Sequence, residues 1–478
     1  MKVLAVASEI YPLVKTGGLA DVAGALPSAL LKHGMSVRTL VPGYPAVLAE
    51  IKNRKALHRY ADLFSGKATL VGAKAKGLDI IVLDAPHLFN RPGNPYLGPD
   101  GKDWPDNGQR FAALSRAAAD VGRGAIKGYA PDILHLHDWQ AALAAVYVKF
   151  EGGPKTVMTI HNIAFQGQFP ASLFASLGLP ATAFAIDGVE YYGKVGFLKG
   201  GLQCADALTT VSPTYANEIQ TPDFGMGLDG LLRSRRNALV GIVNGIDTAV
   251  WNPQTDSALA ATYDAASLAK RISNKRALEK RFGLDAEDGM LHGVVSRLTW
   301  QKGMDIFAGS LNGLVASGAR LALIGTGEAA IEKEILVSAR RHKGRIGVVV
   351  GYDEKLAHLI QGGADTILVP SRFEPCGLTQ LHGLRYGCLP VVARTGGLAD
   401  TIIDANDAAL VAGSGTGFQF TPVDGPSLES ALIRAIRLYE DRALWTGMQK
   451  RGMQTDVSWQ RSALAYASLY RDLLGASG

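Results

Sequence analysis

Seven residues near the N-terminus, Lys15-Thr16-Gly17-Gly18-Leu19-Ala20-Asp21, return near the C-terminus as Arg394-Thr395-Gly396-Gly397-Leu398-Ala399-Asp400. The one difference exchanges a cation for a cation. Each copy follows an apolar run that reads as a strand, Val3 to Ala7 and Pro390 to Ala393, and each leads into a helical pattern. Glycine lets backbone N–H groups approach a ligand closely, and a helix N-terminus carries partial positive charge. A cation, two glycines and a helix start therefore suit anionic oxygens. One copy near each end of the chain predicts two similar α/β units with something anionic between them.

The elements that must position these loops alternate along the whole chain. Short, continuous, β-branched runs predict strands at Val3–Ala7, Val37–Val41, Ile80–Asp84, Ile133–Leu136, Thr156–Ile160, Ala207–Val211 and Val240–Val243. A second series runs through Gly293–Ser296, Leu321–Ile324, Ile346–Val350, Thr366–Val369 and Pro390–Ala393. Continuous rather than alternating apolar runs indicate strands covered on both faces, and helical patterns lie between them. The fold class is α/β with two doubly wound, Rossmann-like domains and parallel sheets, whose ligands bind at the carboxyl ends of the strands. The boundary falls at Asn244-Gly245-Ile246-Asp247. That division gives an N-terminal domain over 1–244, a C-terminal domain over 245–456 and a terminal helix within 457–478. The helical pattern of Val457 to Leu474 predicts one segment that crosses back onto the first domain, with Trp459 and Tyr466 buried.

Bulk composition narrows the function classes. The 478 residues carry 49 Lys and Arg against 43 Asp and Glu, a net charge of +6. The cations are scattered apart from short clusters such as Arg233–Arg236 and Arg340–Lys343, which read as solvated helix faces. No nucleic-acid signature accompanies them. Three cysteines, Cys204, Cys376 and Cys388, form no C-x-x-C and no even framework, which argues against disulfides and structural zinc. The N-terminus enters a strand directly and lacks a signal h-region. No apolar run approaches the roughly 20 residues of a membrane span. A cytoplasmic chain with no membrane or nucleic-acid partner is expected. Composition assigns no oligomeric state.

Further blocks give the repeat a family context. They are His135-Leu136-His137-Asp138-Trp139, Thr159-Ile160-His161-Asn162, Asn244-Gly245-Ile246-Asp247 and Ser296-Arg297-Leu298-Thr299-Trp300-Gln301-Lys302-Gly303. Pro370-Ser371-Arg372-Phe373-Glu374-Pro375-Cys376-Gly377-Leu378-Thr379-Gln380 completes them. Together with the Lys15 and Arg394 loops, and in this order over nearly the whole chain, they resemble the bacterial glycogen synthase and plant starch synthase family. Its members are retaining glucosyltransferases of the GT-B fold, in which the two domains face a deep cleft.

The resemblance implies roles residue by residue. Arg297 and Lys302 would hold the donor diphosphate, although by spacing alone they read equally as surface cations in a strand–helix loop. Lys15, beside Gly17 and Gly18, would reach the same phosphates or the sugar. Glu374 would stand beside the transferred glucose; by spacing alone it is also a carboxylate serving a helix start. His161 would face the sugar with its carbonyl near the anomeric carbon, and otherwise reads as an interior histidine. Asp138 and Asn162 would bind sugar hydroxyls, or serve as turn and cap residues. Trp139 would stack on an acceptor glucose, or pack in the core. Tyr352 would stack on the donor base, and Tyr96 would reach the nucleotide on domain closure. Asn244, Cys376, Gly377, Leu378 and Thr379 would complete the substrate contacts, the last of these near the phosphates.

Three departures refine the expectation. The position eight residues after Glu374 is His382, so the E-x7-E carboxylate pair of many retaining enzymes of this fold is absent. Gly325-Thr326-Gly327 lacks the third glycine of a dinucleotide fingerprint, since Ala330 stands there, and reads as a tight turn. No D-x-D triplet occurs, so a metal-independent reaction without cofactor is expected, with Lys15, Arg297 and Lys302 supplying the positive charge. The implied activity is transfer of glucose from ADP-glucose to the non-reducing end of glycogen or a malto-oligosaccharide. A sugar-nucleotide epimerase, a dinucleotide-dependent oxidoreductase and a catalytically inactive glucan-binding module are the rival readings.

Overall fold

In the computed structural model, residues 1–475 are described. The chain divides into two compact units, one holding Met1–Asn244 together with the segment from Trp459 onward, the other Gly245–Ser458. The first unit contains β1 (Lys2–Val6), β2 (Ser36–Pro42), β3 (Lys55–Tyr60), β4 (Ala68–Ala75), β5 (Leu78–Asp84), β6 (Ile133–His137), β7 (Lys155–Ile160), β8 (Gln168–Pro170), β9 (Glu190–Tyr191), β10 (Lys194–Gly196), β11 (Ala207–Thr210) and β12 (Leu239–Gly241). The second contains β13 (Leu291–Val295), β14 (Arg320–Gly325), β15 (Ile346–Val350), β16 (Thr366–Val369), β17 (Leu389–Ala393) and β18 (Phe418–Phe420).

The first sheet runs in the order β12-β11-β7-β6-β1-β2-β5-β4-β3. Its strands are parallel from β12 to β5, as the continuous apolar runs predict, but β4 and β3 are antiparallel additions at one edge. The expectation of an all-parallel sheet is corrected there. β3, at the sheet's edge, has no buried residue, while β4 beside it is mostly buried but carries Thr69, Gly72 and Lys74 among its apolar residues. A small separate sheet, β8-β10-β9, is also antiparallel.

The second sheet is wholly parallel, in the order β15-β14-β13-β16-β17-β18. In both sheets the chain reverses direction beside the first strand, between β1 and β6 in one unit and between β13 and β16 in the other. Loops diverge at such a switch point and leave a crevice at the strand carboxyl ends. Central strand residues such as Leu4, Leu134, Met158, Val294, Leu323 and Val391 are fully buried, so the strand ends are rigidly fixed.

The C-terminal helix, Trp459–Leu473, packs in the first unit against the helix Gly18–Leu31, as the sequence predicts. Trp459 and Tyr466 are buried there with Val3, Val22, Leu26 and Tyr470, whereas Leu464 faces solvent. Val457 precedes this helix and stays in the second unit, its carbonyl accepting from Ile246 N at 2.8 Å. Among the described residues no helix is long and apolar enough to cross a membrane.

Candidate functional site

In the first unit the Lys15 loop, Asp138 and His161 follow β1, β6 and β7, three adjacent strands. The Lys15 loop is organised by Glu9, which is 3% exposed. The Glu9 carboxylate accepts from the backbone N–H of Thr16, from that of Gly17 at 3.2 Å and from Thr16 Oγ1 at 2.6 Å. Gly17 offers no side chain to cap the helix that starts at Gly18, so Glu9 satisfies donors the helix start leaves open. This corrects the reading of Gly17 as a backbone cradle for a ligand anion, because the chain's own carboxylate already occupies its N–H. Gly17 and Gly18 keep an open face, since a Cβ at either meets nothing within 4 Å. Lys15 is exposed, with Nζ 2.7 Å from Asp21 Oδ1.

Tyr96 is corrected as well. Its hydroxyl donates to Glu9 and bonds Ser8 Oγ at 2.8 Å. Burial and the adjacent Glu9 hold this phenol far above its usual range, so it remains a donor. Tyr96 therefore fixes Glu9, and through it the Lys15 loop, and its polar end is not directed to a nucleotide.

Asp138 opens the helix Asp138–Glu151 with φ +54°, a left-handed conformation that costs a non-glycine residue about 1–3 kcal/mol and persists only where surroundings impose it. The strain turns the carboxylate onto the next strand end, where Oδ1 accepts from His161 N at 2.7 Å. Burial raises the Asp138 carboxyl to about 7, opposed by the N–H groups of His161 and Asn162. His161 Nε2 lies 2.9 Å from His137 Nδ1. Burial depresses both imidazoles, His137 to about 3 and His161 well below its usual range. Asn162 Oδ1 accepts from Ala164 N at 3.0 Å, the turn role open to it from the sequence. Asn244 is 7% exposed, and among the described residues its side-chain oxygen has no partner.

Trp139 is not a surface platform. Its ring packs 5.0 Å from Phe111, 5.7 Å from Phe169 and 6.1 Å from Phe197, centroid to centroid. Gly167 closes on one face, where a Cβ would stand 2.3 Å from the indole. The acceptor-stacking reading gives way to a core role, because the aromatic neighbours already cover the ring.

In the second unit, Arg297 and Lys302 follow β13, and Glu374 follows β16, on either side of the switch point. Gly303, at φ +66°, lets the β13 loop press against the β16 loop; a Cβ there would lie 2.0 Å from Pro370 O. This approach delivers Lys302 Nζ to Glu374 Oε2 at 2.5 Å. The same carboxylate oxygen accepts from the buried Ser371 Oγ at 2.9 Å. Glu374 thus does not serve a helix start; the next helix begins later, at Thr379. Arg297 is exposed, and its guanidinium reaches Gln301 Oε1 at 3.4 Å. Its loop is anchored by Glu328, whose Oε1 accepts from Trp300 N at 2.8 Å. The glycine turn at Gly325–Gly327 therefore packs on the Arg297 loop.

The second copy of the repeat is used differently from the first. Gly397 N donates to Glu374 O and Pro375 O, both at 3.1 Å. A Cβ at Gly396, which has φ +43°, would stand 2.0 Å from Glu374 O. One at Gly397 would stand 2.2 Å from Cys376 O. The Arg394 loop is a clamp on the Glu374–Cys376 backbone. Cys376 is buried beneath this turn, Gly377 bends it at φ +73°, and Leu378 and Thr379 continue it into the helix. Tyr352, beyond β15, is 73% exposed. His382 stacks on Trp251 with centroids 3.6 Å apart, and His358 covers the other indole face at 3.8 Å. The position of a second glutamate is thereby built into a packed aromatic stack.

Four positioning groups, Glu9, His137, Glu328 and Ser371, escaped the reading by residue type. His137 and Ser371 lie inside quoted motifs, but only their partners, His161 at the next strand end and Glu374 in the same loop, reveal a role.

Two α/β units with cations and a carboxylate at parallel-strand switch points define a glycosyltransferase of the GT-B class. Residues 2–234 match the family model described as the starch synthase catalytic domain, and 291–436 that of glycosyl transferases group 1. The glycogen synthase of Mesorhizobium japonicum is 59% identical over 476 residues, 99% of each chain. That of Rhodopseudomonas palustris strain HaA2 is 58% identical over the same share. The chain belongs to the glycogen synthase family, and it is a hexosyltransferase of glycogen biosynthesis. Among solved structures it is similar to the catalytic domain of starch synthase IV from Arabidopsis thaliana bound to ADP and acarbose. That match has TM-score 0.89 and 32% identity over 99% of both chains. Sucrose-phosphate synthase from Thermosynechococcus elongatus, at TM-score 0.61 and 17% identity over 100% of both chains, shares the fold.

Proposed function

We propose that the enzyme transfers glucose from ADP-glucose to the 4-hydroxyl at the non-reducing end of an α-1,4-glucan, with retention of configuration, in the cytoplasm and without a metal ion. The observation that carries this reading is the Lys302–Glu374 contact at the β13/β16 switch point, a cation against a carboxylate, which supports a site for a phosphate beside a sugar. Relatives named glycogen synthase and the ADP held by the starch synthase IV structure support the donor and acceptor.

Arg297, Lys302 and Lys15 neutralise the diphosphate as the glucosyl C1–O bond breaks and its electron pair moves to the phosphate oxygen. Such charges act most where charge develops, so they favour the transition state. Glu374 and the His161 carbonyl stabilise the positive charge on the anomeric carbon. Asp138, Asn162 and Asn244 orient hydroxyls; Tyr352 stacks on adenine; Cys376 to Thr379 line the phosphates. The acceptor O4 bonds to C1 on the face the phosphate leaves, and its proton passes to the departing phosphate oxygen.

Glucose incorporation into glycogen from ADP-glucose and from UDP-glucose, each with and without a chelator, tests the proposal. ADP-glucose is expected to be preferred and the chelator to have no effect. Preference for UDP-glucose overturns the donor, strict chelator sensitivity the metal-free chemistry, and a trapped glucosyl adduct on Glu374 the same-face attack.

A further inference from the structure

His135 and His137 alternate along β6, so both imidazoles project to one face of the strand, and each residue is 1% exposed. Both nitrogens of His135 are engaged, Nε2 with Thr159 Oγ1 at 2.6 Å and Nδ1 with the Tyr470 hydroxyl at 2.8 Å. Tyr470 belongs to the C-terminal helix, as does Tyr466, whose ring lies 5.3 Å from His135. His135 in turn supports His137 at 4.2 Å between centroids, and His137 Nδ1 meets His161 Nε2 at 2.9 Å. A column of four rings thus runs from the C-terminal helix to His161.

We propose that His137 is a positioning residue for the transfer reaction, fixing the orientation and tautomer of the His161 imidazole. An N···N contact of 2.9 Å requires one N–H and one lone pair. Two N–H groups would collide, and two lone pairs would repel. Whichever ring donates, the role of His161 Nδ1 follows: it donates when Nε2 accepts, and accepts when Nε2 donates. Burial keeps both rings neutral, so the contact is not broken by protonation near neutral pH. Because the contact couples the two tautomers, His137 sets which hydrogen-bonding face His161 presents to a sugar hydroxyl. The inference rests on the reading that His161 lies against the transferred sugar. The C-terminal helix then acts as the floor of the column, holding His135 through Tyr470 so that His137 cannot retreat.

The test is 15N NMR of protein labelled at histidine, with kinetics on two variants. In the unsubstituted protein His161 should show one pyrrole-like and one pyridine-like nitrogen, unchanged from pH 6 to 8. In His137→Leu the two signals should move toward a tautomer average, and kcat should fall about 10-fold with donor KM unchanged. His137→Asn, whose amide can replace Nδ1 at the contact, should restore both readouts. Unmoved His161 signals in folded His137→Leu overturn the proposal, as does equal impairment of the Leu and Asn variants. If neither variant folds, averaged His161 tautomers in the unsubstituted protein overturn it. Failure of the glucosyl-transfer reading would appear instead as absent glucose incorporation by the unsubstituted enzyme, with the NMR result untouched.

Discussion

Lys302 Nζ stands 2.5 Å from Glu374 Oε2, and this contact joins the cation after β13 to the carboxylate after β16. Lys302 is 17% and Glu374 9% exposed at the side chain, so water screens the pair only partly. On the proposed reading, a diphosphate bound by Lys302 competes with Glu374 for the ammonium group.

Glu374→Gln separates the two roles. Removing the negative charge should reduce turnover by about 100- to 1000-fold. It should also release Lys302, and ADP should bind about fivefold tighter, a gain of roughly 1 kcal/mol for a partly exposed pair. Calorimetric titration with ADP beside a turnover assay reads both. Weaker ADP binding in the folded variant would show that the pair does not compete with phosphate.

The two copies of the repeat predict opposite responses to one substitution. Gly396→Ala must displace the Glu374 carbonyl and hold alanine at φ +43°, so a loss of about 2–3 kcal/mol is expected, with falling activity. Gly18→Ala meets open space at a helix start and should leave the melting temperature nearly unchanged. Thermal melts of both variants decide the matter. Equal destabilisation would mean that the two loops are built alike.

That contrast shows how much the sequence reveals. Continuous apolar runs located the central strands, because strands buried on both faces must be apolar throughout. The motifs picked out Lys15, His161, Arg297, Lys302 and Glu374, and all five lie in segments that follow parallel strands. Identical residues did not disclose different uses: in the first copy Thr16 and Gly17 donate to Glu9, and in the second the glycines clamp the Glu374 turn. The first use depends on a carboxylate seven and eight residues upstream, and the second on the loop after the neighbouring strand β16. The antiparallel pair was missed for the converse reason: the edge strand β3 has no buried position, and β4, though mostly buried, mixes Thr69, Gly72 and Lys74 into its apolar run.

Stability should depend on pH through groups of opposite sign. Burial lowers His135 and His161 well below their usual range, His137 to about 3 and His292 to about 4. Below about pH 6.5 the unfolded chain binds protons at these histidines and the folded one does not, so stability falls as pH drops. Asp138, raised to about 7, acts the other way: the folded state keeps its proton between about pH 4 and 7, so stability falls as pH rises. Four histidines outweigh one aspartate below pH 6.5. Denaturant unfolding should therefore show stability rising from pH 4.5 to 6.5 and then levelling. Asp138→Asn should gain on the parent as pH rises, by about 2 kcal/mol at pH 8. A constant difference across this range would contradict the raised Asp138 carboxyl.

Trp139 supplies the last test, because its motif invites a sugar-stacking role that its surroundings refuse. The indole is 8% exposed and lies among Phe111, Phe169 and Phe197. Trp139→Ala would empty that space and should cost about 3–5 kcal/mol. Trp139→Phe keeps an aromatic ring among the same neighbours and should lose far less. A stacking platform would behave differently: the phenylalanine variant would keep its stability but bind the acceptor poorly. Packing predicts an unchanged KM for malto-oligosaccharides in Trp139→Phe, with any loss confined to the melting temperature. A large rise in acceptor KM at unchanged stability would return Trp139 to the acceptor site.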